Sequence, residues 1–384
     1  MRVLHVVPTY LPAVRYGGPI QSVHGLCAAL AARGHDVHVF TTNVDGAGNS
    51  VVPLGRPVAM DGVKVWYFPS SKLRRLYWSP PMARALQRDI DGFDLVHLHS
   101  VFLWPTWAAA RVARRHGVPY ALSPRGMLVK DLLRARSRYA KTAWIALIER
   151  TNLANAAAIH VTSPVERTEM ERFGFRLRGR IFEVPNGVDL HAEVRDSPAS
   201  PAPYLVMLGR INWKKRIDLA LDVVSLVDDV RLVIAGGDDE GLASMLRARA
   251  AALGLMDRVE FVGSVGGREK RELLQGALAL MMPSLSENFG NSALEAMAEG
   301  TPVIVVPQVG MADGIQASGG GFVVAPDPNA FADAVRQLQA DPELRRRMGR
   351  CARAAVVEKY SWAAIGERME TEYQAIVDGS RKRA

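Results

Sequence analysis

One segment of the chain places two glutamates eight residues apart, and it reads Ser286-Glu287-Asn288-Phe289-Gly290-Asn291-Ser292-Ala293-Leu294-Glu295. The apolar run 277–282 before it is short enough for a buried strand, and residues 292–299 after it have helical spacing. The segment is therefore predicted to lead from a strand into a helix. Glu287 would lie on the loop, and Glu295 about one turn inside the helix.

This arrangement favours a particular kind of ligand. The start of a helix presents backbone N–H groups, here those of Asn291 and Ser292, and it favours an anion such as phosphate. The two carboxylates would repel a phosphate, but they are strong acceptors for hydroxyl groups. A phosphate flanked by hydroxyl-rich groups is the chemistry of a nucleotide sugar.

Length and patterning predict two domains. The chain has 384 residues, and short β-rich runs alternate with helical runs throughout, which indicates an α/β protein with two parallel sheets. The Pro- and Ser-rich stretch 197–203 is the predicted linker between domains 1–196 and 204–360. The helical segment 361–384 is expected to pack back toward the first domain. Two such domains would leave a deep cleft lined by strand ends.

The charge is unevenly distributed. The overall net charge is +9, of which residues 1–196 contribute +11 and the remainder −2, and residues 111–150 hold ten basic and two acidic residues. This asymmetry indicates an acidic partner: anionic lipid, a phosphorylated acceptor or nucleic acid. Segment 123–150 also contains apolar and aromatic residues, which fits either an interfacial helix on anionic lipid or helices with a solvated basic face.

Other features bound the location. No apolar run reaches the length of a membrane span, and the N-terminal run is predicted to be a first strand rather than a signal peptide. Cys27 and Cys351 fit neither a disulfide framework nor a metal site. We expect a cytoplasmic protein, with peripheral binding to the inner face of the plasma membrane as an option.

A second motif follows the first predicted strand of the second domain, and it reads Leu208-Gly209-Arg210-Ile211-Asn212-Trp213-Lys214-Lys215-Arg216. Gly209 would allow a tight turn after the strand. Arg210 and Lys215 could then converge on one diphosphate, or they could belong to a solvated basic loop. The two-glutamate segment in the same half favours the diphosphate.

Together, these two motifs resemble the signature of the family 4 (group 1) retaining glycosyltransferases of the GT-B fold. Further stretches are similar to that family in the same order, namely Tyr16-Gly17-Gly18-Pro19, Arg33-Gly34-His35, His97-Leu98-His99, Ser123-Pro124-Arg125-Gly126-Met127-Leu128 and Pro185-Asn186-Gly187-Val188-Asp189. The resemblance covers essentially the whole chain. It implies two Rossmann-like domains whose parallel sheets face an interdomain cleft.

For the second domain, the resemblance implies that Arg210 and Lys215 neutralise the leaving diphosphate without a metal. It implies that Glu287 binds hydroxyls of the transferred sugar and that Glu295 binds the nucleotide ribose. The remaining donor-binding positions would act through backbone N–H groups or tight turns, and they are Gly209, Asn288, Phe289, Gly290, Asn291 and Ser292.

For the first domain, the resemblance implies that Gly17 and Gly18 let a loop close over the donor phosphates. His99 would contact the sugar near the reacting centre, whereas His97 on the same strand is expected to be structural. Arg125 and Asn186 are candidates for acceptor or phosphate binding, and a structural role for Arg125 is left open.

The chain departs from the family pattern at two positions. Arg216 stands where many relatives have Gly, and Gly314 stands where many have an acidic residue, so no sugar contact is assigned to position 314. The pair Asp89 and Asp91 matches a metal-binding Asp-x-Asp pattern but falls at a predicted helix end, so we interpret it as solvated surface. We expect no metal and no cofactor besides the nucleotide-sugar co-substrate.

Together with the resemblance, the motifs imply a retaining transferase that uses a nucleotide sugar and a carbohydrate or lipid-linked acceptor. The retention and the setting in bacterial surface polysaccharide assembly are implied by the resemblance alone. Two alternatives share the architecture, a sugar-nucleotide epimerase and a phosphorylase. A non-enzymatic nucleic-acid-binding protein would explain the basic half but not the two glutamates, so no nucleic-acid partner is expected. A Rossmann dehydrogenase is disfavoured because no G-x-G-x-x-G follows the first strand.

Overall fold

The chain forms two compact units in a computed structural model that describes residues 1–13, 17–129, 142–192 and 202–382. Unit 1 comprises residues 1–187 and 362–384, and unit 2 comprises residues 188–361. The division therefore comes before the predicted boundary at residue 196. That boundary and most of the predicted linker 197–203 lie outside the described residues.

Unit 1 is built on an eight-stranded sheet with the order β10-β9-β8-β7-β1-β2-β6-β5, parallel except for the edge strand β5. A small antiparallel hairpin, β3–β4, lies outside this sheet. The strands of unit 1 are β1 (Arg2–Val6), β2 (Asp36–Thr42), β3 (Val44–Asp45), β4 (Gly48–Asn49), β5 (Val58–Met60), β6 (Val63–Phe68), β7 (Leu95–His99), β8 (Tyr120–Ser123), β9 (Ala158–Val161) and β10 (Arg180–Glu183).

Helices cover both faces of this sheet, which is why its central strands are almost wholly buried. Among the described residues before 187, the complete helices are α1 (Gly18–Ala32), α2 (Pro80–Asp89), α3 (Trp104–His116), α4 (Arg150–Asn155) and α5 (Pro164–Arg172). A π-helical turn, Ile145–Glu149, runs directly into α4. None of the helices in the described part of the chain has the length and apolar character that crossing a membrane requires.

Unit 2 has a six-stranded parallel sheet with the order β13-β12-β11-β14-β15-β16. Its strands are β11 (Tyr204–Leu208), β12 (Arg231–Ala235), β13 (Val259–Gly263), β14 (Ala279–Met282), β15 (Val303–Val305) and β16 (Gly321–Val323). Its helices are α6 (Ile217–Ser225), α7 (Ala243–Ala252), α8 (Gly267–Gln275), α9 (Asn291–Ala298), α10 (Ala312–Ser318), α11 (Pro328–Ala340) and α12 (Pro342–Lys359).

The parallel arrangement positions the candidate residues of each unit. In an open parallel sheet the loops that follow the strands gather at one edge, which is where such folds bind ligands. In unit 1 the loops after β1, β7 and β8 carry Gly17, Ser100 and Arg125. In unit 2 the loops after β11 and β14 carry Lys215 and Glu287.

The last helix, α13 (Trp362–Arg381), belongs to unit 1 and packs against α1. Its first residue, Trp362, lies over two glycines of this unit. A Cβ at Gly25 would come within 2.2 Å of Trp362 Cε2, and one at Gly187 within 2.4 Å of Trp362 Cε3. The absence of a side chain at both positions is what allows the indole to seat there.

This packing gives a stability prediction. Gly25→Ala should lower the free energy of unfolding by about 2 kcal/mol, because the new methyl group overlaps the indole of Trp362. Gly379→Ala is the matched control, since this helical glycine has nothing within 4 Å of its Cβ position. It should gain up to about 1 kcal/mol from helix propensity. Urea denaturation measures both, and equal effects of the two substitutions would contradict the packing.

Candidate active site

The two-glutamate segment forms the predicted loop and helix start in unit 2. Gly290 precedes α9 with φ at +110°, and a Cβ there would approach Val309 Cγ1 to 2.9 Å, so the turn requires glycine. The loop is also pinned by its backbone: Glu287 N donates to Gln308 O (3.3 Å), and Gly310 N donates to Glu287 O (2.9 Å). Both glutamates are thus carried on a fixed backbone.

Lys215 and Glu287 form the closest charge pair of this site. Lys215 Nζ lies 2.6 Å from Glu287 Oε2. A second bond joins the two loops, because Leu285 N donates to Lys214 O at 2.8 Å. Gly209, in the turn after β11, has φ at +131°, a conformation that glycine adopts without strain. The predicted phosphate-binding cation and the predicted sugar-binding carboxylate are therefore neighbours.

Glu295 has a partner that the sequence analysis did not identify. Lys270 Nζ lies 3.1 Å from Glu295 Oε2, and Lys270 is in the first turns of α8, just after β13. The sequence signal that could have found Lys270 is its position after a predicted strand. Residues that follow the strands of a parallel sheet lie at one edge of that sheet, and Glu287 lies at the same edge. Lys270 is therefore an additional cation beside the two-glutamate segment.

Arg210 pairs with a carboxylate outside the two-glutamate segment. Its side chain is about half exposed, and its Nη1 lies 3.9 Å from Asp239 Oδ2. Its convergence with Lys215 on a single diphosphate therefore stays a prediction. Phe289 is buried and lies 6.4 Å from Tyr360 between ring centroids, so only its backbone could serve a ligand.

The two departures from the family pattern have physical explanations. Arg216 adopts the left-handed conformation, with φ at 52°, which explains why glycine suits this position; its side chain turns to Asp218 at 3.0 Å. At Gly314 a Cβ would lie 2.6 Å from Tyr360 Oη. An acidic side chain could not occupy position 314 without displacing that tyrosine.

In unit 1 a hydrogen-bonded series joins His99 to both Arg125 and Asn186. Arg125 Nη1 donates to Asn186 Oδ1 at 2.7 Å, and Arg125 Nε donates to His99 Nδ1 at 3.4 Å. Because arginine can only donate, His99 Nδ1 must accept, so the proton of His99 is on Nε2. This N–H donates a hydrogen bond to His5 Nδ1, 3.0 Å away. His99 is 1% exposed, and both its ring nitrogens are used. Its predicted sugar contact would require these bonds to rearrange and stays a prediction.

Three histidines of unit 1 meet the spacing of a metal-ligand set, which their positions in the sequence do not reveal. One nitrogen each of His5, His97 and His99 lies within 4.8 Å of the others. His97 Nδ1 bonds to Tyr373 Oη of α13 at 2.6 Å, in keeping with its expected structural role. The adjacent guanidinium of Arg125 would repel a metal cation. The electrostatics therefore favour neutral, hydrogen-bonded imidazoles over a metal centre.

Two buried glutamates support the loops at this edge, and sequence patterning did not identify either. Glu166 accepts from Gly126 N at 2.7 Å and from Thr162 N at 2.8 Å. Glu149 accepts from Phe102 N at 2.7 Å. These bonds hold loops in which three non-glycine residues adopt the left-handed backbone conformation: Ser100 (φ 76°), Phe102 (φ 64°) and Arg125 (φ 54°). Such backbone strain persists where the surroundings enforce it, and it is typical of functional loops.

The remaining candidates are placed as follows. Gly17 (φ +70°) and Gly18 begin α1 after β1, next to residues 14–16, which lie outside the described residues. Asp89 ends α2, and Asp91 lies in the 3-10 turn directly after it; Asp89 pairs with Arg88 at 2.7 Å and Asp91 with His116 at 2.8 Å. The centre of the basic segment 123–150, residues 130–141, also lies outside the described residues.

Known proteins match both units. Residues 17–187 match the glycosyl transferase 4-like domain, and residues 193–355 match the glycosyl transferases group 1. A D-inositol 3-phosphate glycosyltransferase of Streptomyces avermitilis is 30% identical over 99% of this chain and 88% of that protein. The chain belongs to the family 4 (group 1) glycosyltransferases.

Two further similarities refine this assignment. A GDP-mannose:cellobiosyl-diphosphopolyprenol alpha-mannosyltransferase of Komagataeibacter xylinus is 26% identical over 98% of this chain and 94% of that protein. The solved sucrose-phosphate synthase of Thermosynechococcus elongatus superposes with a TM-score of 0.77 at 23% identity, over 99% of this chain and all of that one. The GT-B fold predicted from sequence is confirmed, and so is the prediction of a glycosyltransferase.

The buried histidines give a pH prediction. Burial lowers the pKa of His5 and of His160 to about 3, and it lowers the pKa of His97 and His99 as well. In the unfolded chain these groups titrate near 6.5, so the unfolded state binds more protons below that pH and the folded state loses stability on acidification. Each histidine should cost about 1 kcal/mol at pH 5.5.

Urea denaturation at pH 7.5 and at pH 5.5 measures this loss. Glu149 acts in the opposite sense, because burial raises its pKa and acid neutralises it. Four histidines outweigh this one carboxyl group, so the free energy of unfolding should be lower at pH 5.5. Equal values at the two pH values would contradict the neutral histidine cluster.

Proposed function

We propose that this glycosyltransferase moves a sugar from a nucleotide-diphosphate donor to a hydroxyl group of a carbohydrate or lipid-linked acceptor, with retention of the anomeric configuration. The observation that carries the proposal is the Lys215–Glu287 pair at 2.6 Å. The pair places a cation that can bind phosphate directly beside a carboxylate that can bind sugar hydroxyls. In a nucleotide sugar, phosphate and sugar meet at the bond that a glycosyltransferase breaks. The role proposed is the assembly of bacterial surface polysaccharide.

The residues of unit 2 divide the donor between them. Lys215 would stabilise the charge that develops on the departing diphosphate, and the N–H groups at the start of α9 would bind the same anion. Glu287 would accept hydrogen bonds from the sugar hydroxyls, and Glu295, oriented by Lys270 at 3.1 Å, from the ribose. Arg210 would add a second cation on the loop after β11.

The bond changes follow from these roles. The bond between the anomeric carbon and the diphosphate oxygen breaks, and the acceptor oxygen bonds to the same face of that carbon. The acceptor proton passes to the departing phosphate oxygen. Glu287 is neutralised by Lys215, so a role in binding hydroxyls suits it better than one as a nucleophile. The protein would act mainly by positioning and by electrostatic stabilisation, with no metal.

The acceptor class is inferred from unit 1. Arg125 is held by Asn186 and His99, so its guanidinium is pre-oriented at the strand edge where an anionic acceptor could bind. The relatives named above act, by their names, on inositol 3-phosphate and on a diphosphopolyprenol-linked sugar. Both acceptors carry phosphate. We therefore propose a phosphate-bearing acceptor, with the lipid-linked form favoured.

The test combines a donor screen with two lysine variants. The purified chain is incubated with a panel of nucleotide sugars and a lipid-diphosphate acceptor, and products are followed by mass spectrometry. Lys215→Met should lower kcat by about 10²–10³-fold, as expected when one preorganised charge is removed from a transition state. Lys214→Met is the matched control, since this neighbouring lysine lies over the Trp213 ring at 5.8 Å, and its turnover should stay within about threefold of native.

Two further results of the same assay bear on the mechanism. Turnover should persist in excess chelator, and the anomeric signal of the product should match that of the donor. Loss of activity in chelator would indicate a required metal ion, for which Asp89 and Asp91 would be the candidate ligands. Near-normal turnover of Lys215→Met, or turnover of the donor to an isomeric nucleotide sugar without any acceptor, would reject the proposed transferase chemistry.

A further inference from the structure

Two loops of unit 1 carry exposed aliphatic and basic side chains that have no part in the proposed chemistry. One connects β4 to β5 and the other follows β6, and together they contain Val51, Leu54, Arg56, Lys72, Leu73 and Arg75, which we call the apolar–basic patch. Val51 is fully exposed, Leu73 is 64% exposed and Leu54 is 47% exposed. A single exposed aliphatic group is normal on a protein surface, but several grouped among polar residues are typical of an interaction site.

The two loops form one surface because Arg74 ties them together. Its guanidinium donates to Asn49 Oδ1 at 2.6 Å, to Ala47 O at 3.4 Å, and to Gly48 O. Val51 is two residues after Asn49, which Arg74 contacts, and Leu73 and Arg75 are the neighbours of Arg74 in the chain. Arg74 is thus an internal anchor, whereas Lys72 and Arg75 are exposed.

The backbone of the second loop has an unusual conformation on both sides of its 3-10 turn. Leu73 and Tyr77 both adopt the left-handed conformation, with φ at 47° and 57°. Bulky L-residues rarely take this conformation, and they do so where the surrounding structure enforces it. The strain brackets the 3-10 turn Arg74–Leu76, whose middle residue is the exposed Arg75.

The charge of the patch is of one sign. Residues 46–60 and 69–80 contain four basic residues, Arg74 among them, and no aspartate or glutamate. A nucleic acid would satisfy the cations but would give nothing to three exposed aliphatic side chains. An anionic bilayer satisfies both, because headgroups attract the cations and the acyl boundary takes up the aliphatic groups.

We infer that the apolar–basic patch docks unit 1 onto an anionic lipid surface. The patch lies on the loop before β5 and on the loop after β6. Because β5 runs antiparallel to β6, both loops lie at the strand-end edge of the sheet that carries Gly17 and Arg125. Docking there would bring a lipid-linked acceptor to this edge. That purpose rests on the lipid-linked acceptor proposed above, whereas the docking itself is measured without donor or acceptor.

Vesicle co-sedimentation of the full chain tests the inference. The native protein should bind vesicles of phosphatidylcholine with phosphatidylglycerol and should bind pure phosphatidylcholine weakly. Lys72→Glu/Arg75→Glu should weaken binding to the anionic vesicles roughly 30-fold, since two attractive charges are lost. Val51→Ser/Leu73→Ser should weaken it as well, even at low salt.

Matched controls separate the patch from general effects of charge and apolar content. Arg347→Glu/Arg350→Glu changes the same charge on exposed residues of α12, and Met245→Ser/Met256→Ser removes side chains that are 59% and 57% exposed in unit 2. Both controls should bind as the native chain does. Thermal unfolding verifies that every variant is folded, and hydrolysis of a nucleotide sugar without lipid should be the same in patch variants and native protein.

Three results would overturn the inference: no binding of the native chain to anionic vesicles, unchanged binding of both patch variants, or equal losses in the controls. Binding of duplex DNA that falls in Lys72→Glu/Arg75→Glu but not in Val51→Ser/Leu73→Ser, with vesicle binding intact, would assign the patch to nucleic acid instead. If vesicle binding fails while donor turnover is found, the proposed function stands and only the docking is lost.

Discussion

The ion pair between Lys215 and Glu287 is the contact on which the proposed donor site of unit 2 depends. It joins the loop after β11 to the loop after β14, two neighbouring strands of the sheet. Each partner needs the other, because an uncompensated charge at this partly buried position would be costly. The loops supply what the pair requires: glycines at 209 and 290 with positive φ, and the backbone bond from Leu285 to Lys214.

Unit 1 fixes its own charged group by a different principle. Arg125 is oriented by neutral acceptors, Asn186 Oδ1 and His99 Nδ1, so its charge is not cancelled by a carboxylate in direct contact. Desolvation keeps the histidines around it neutral, and the single N–H of His99 donates a hydrogen bond to His5. A cation held by neutral groups keeps more of its attraction for an incoming anion than one already in an ion pair.

The sequence was sufficient to predict the fold and the local structure of the two-glutamate segment, because both depend on local patterns. Alternating apolar runs predict parallel sheets, and the strand, glycine turn and helix around Glu287 are contiguous in the chain. The partners that come from elsewhere could not be predicted in the same way. Lys270 reaches Glu295 from the helix after β13, and Glu149 and Glu166 were ordinary helical glutamates until their buried bonds to loop N–H groups were known.

The burial of His99 and the exposure of Leu73 show the same limit. A histidine at a strand end and a leucine in a loop have no sequence signal for burial, since burial depends on what the neighbouring elements cover. The structure encloses His99 with His5 and Arg125, and it leaves Leu73 exposed on a strained turn. In both cases tertiary context determines which side chain can meet a ligand.

The role of the Lys215–Glu287 pair is tested most directly by a double-mutant cycle on donor binding, measured by calorimetry with the nucleotide sugar that the chain uses. Lys215→Met alone should weaken binding strongly, because it leaves the Glu287 carboxylate unpaired beside the diphosphate. Adding Glu287→Gln should then cost less than it does in the native chain, with a coupling energy of about 1–3 kcal/mol. Strictly additive losses would contradict the central role given to the pair.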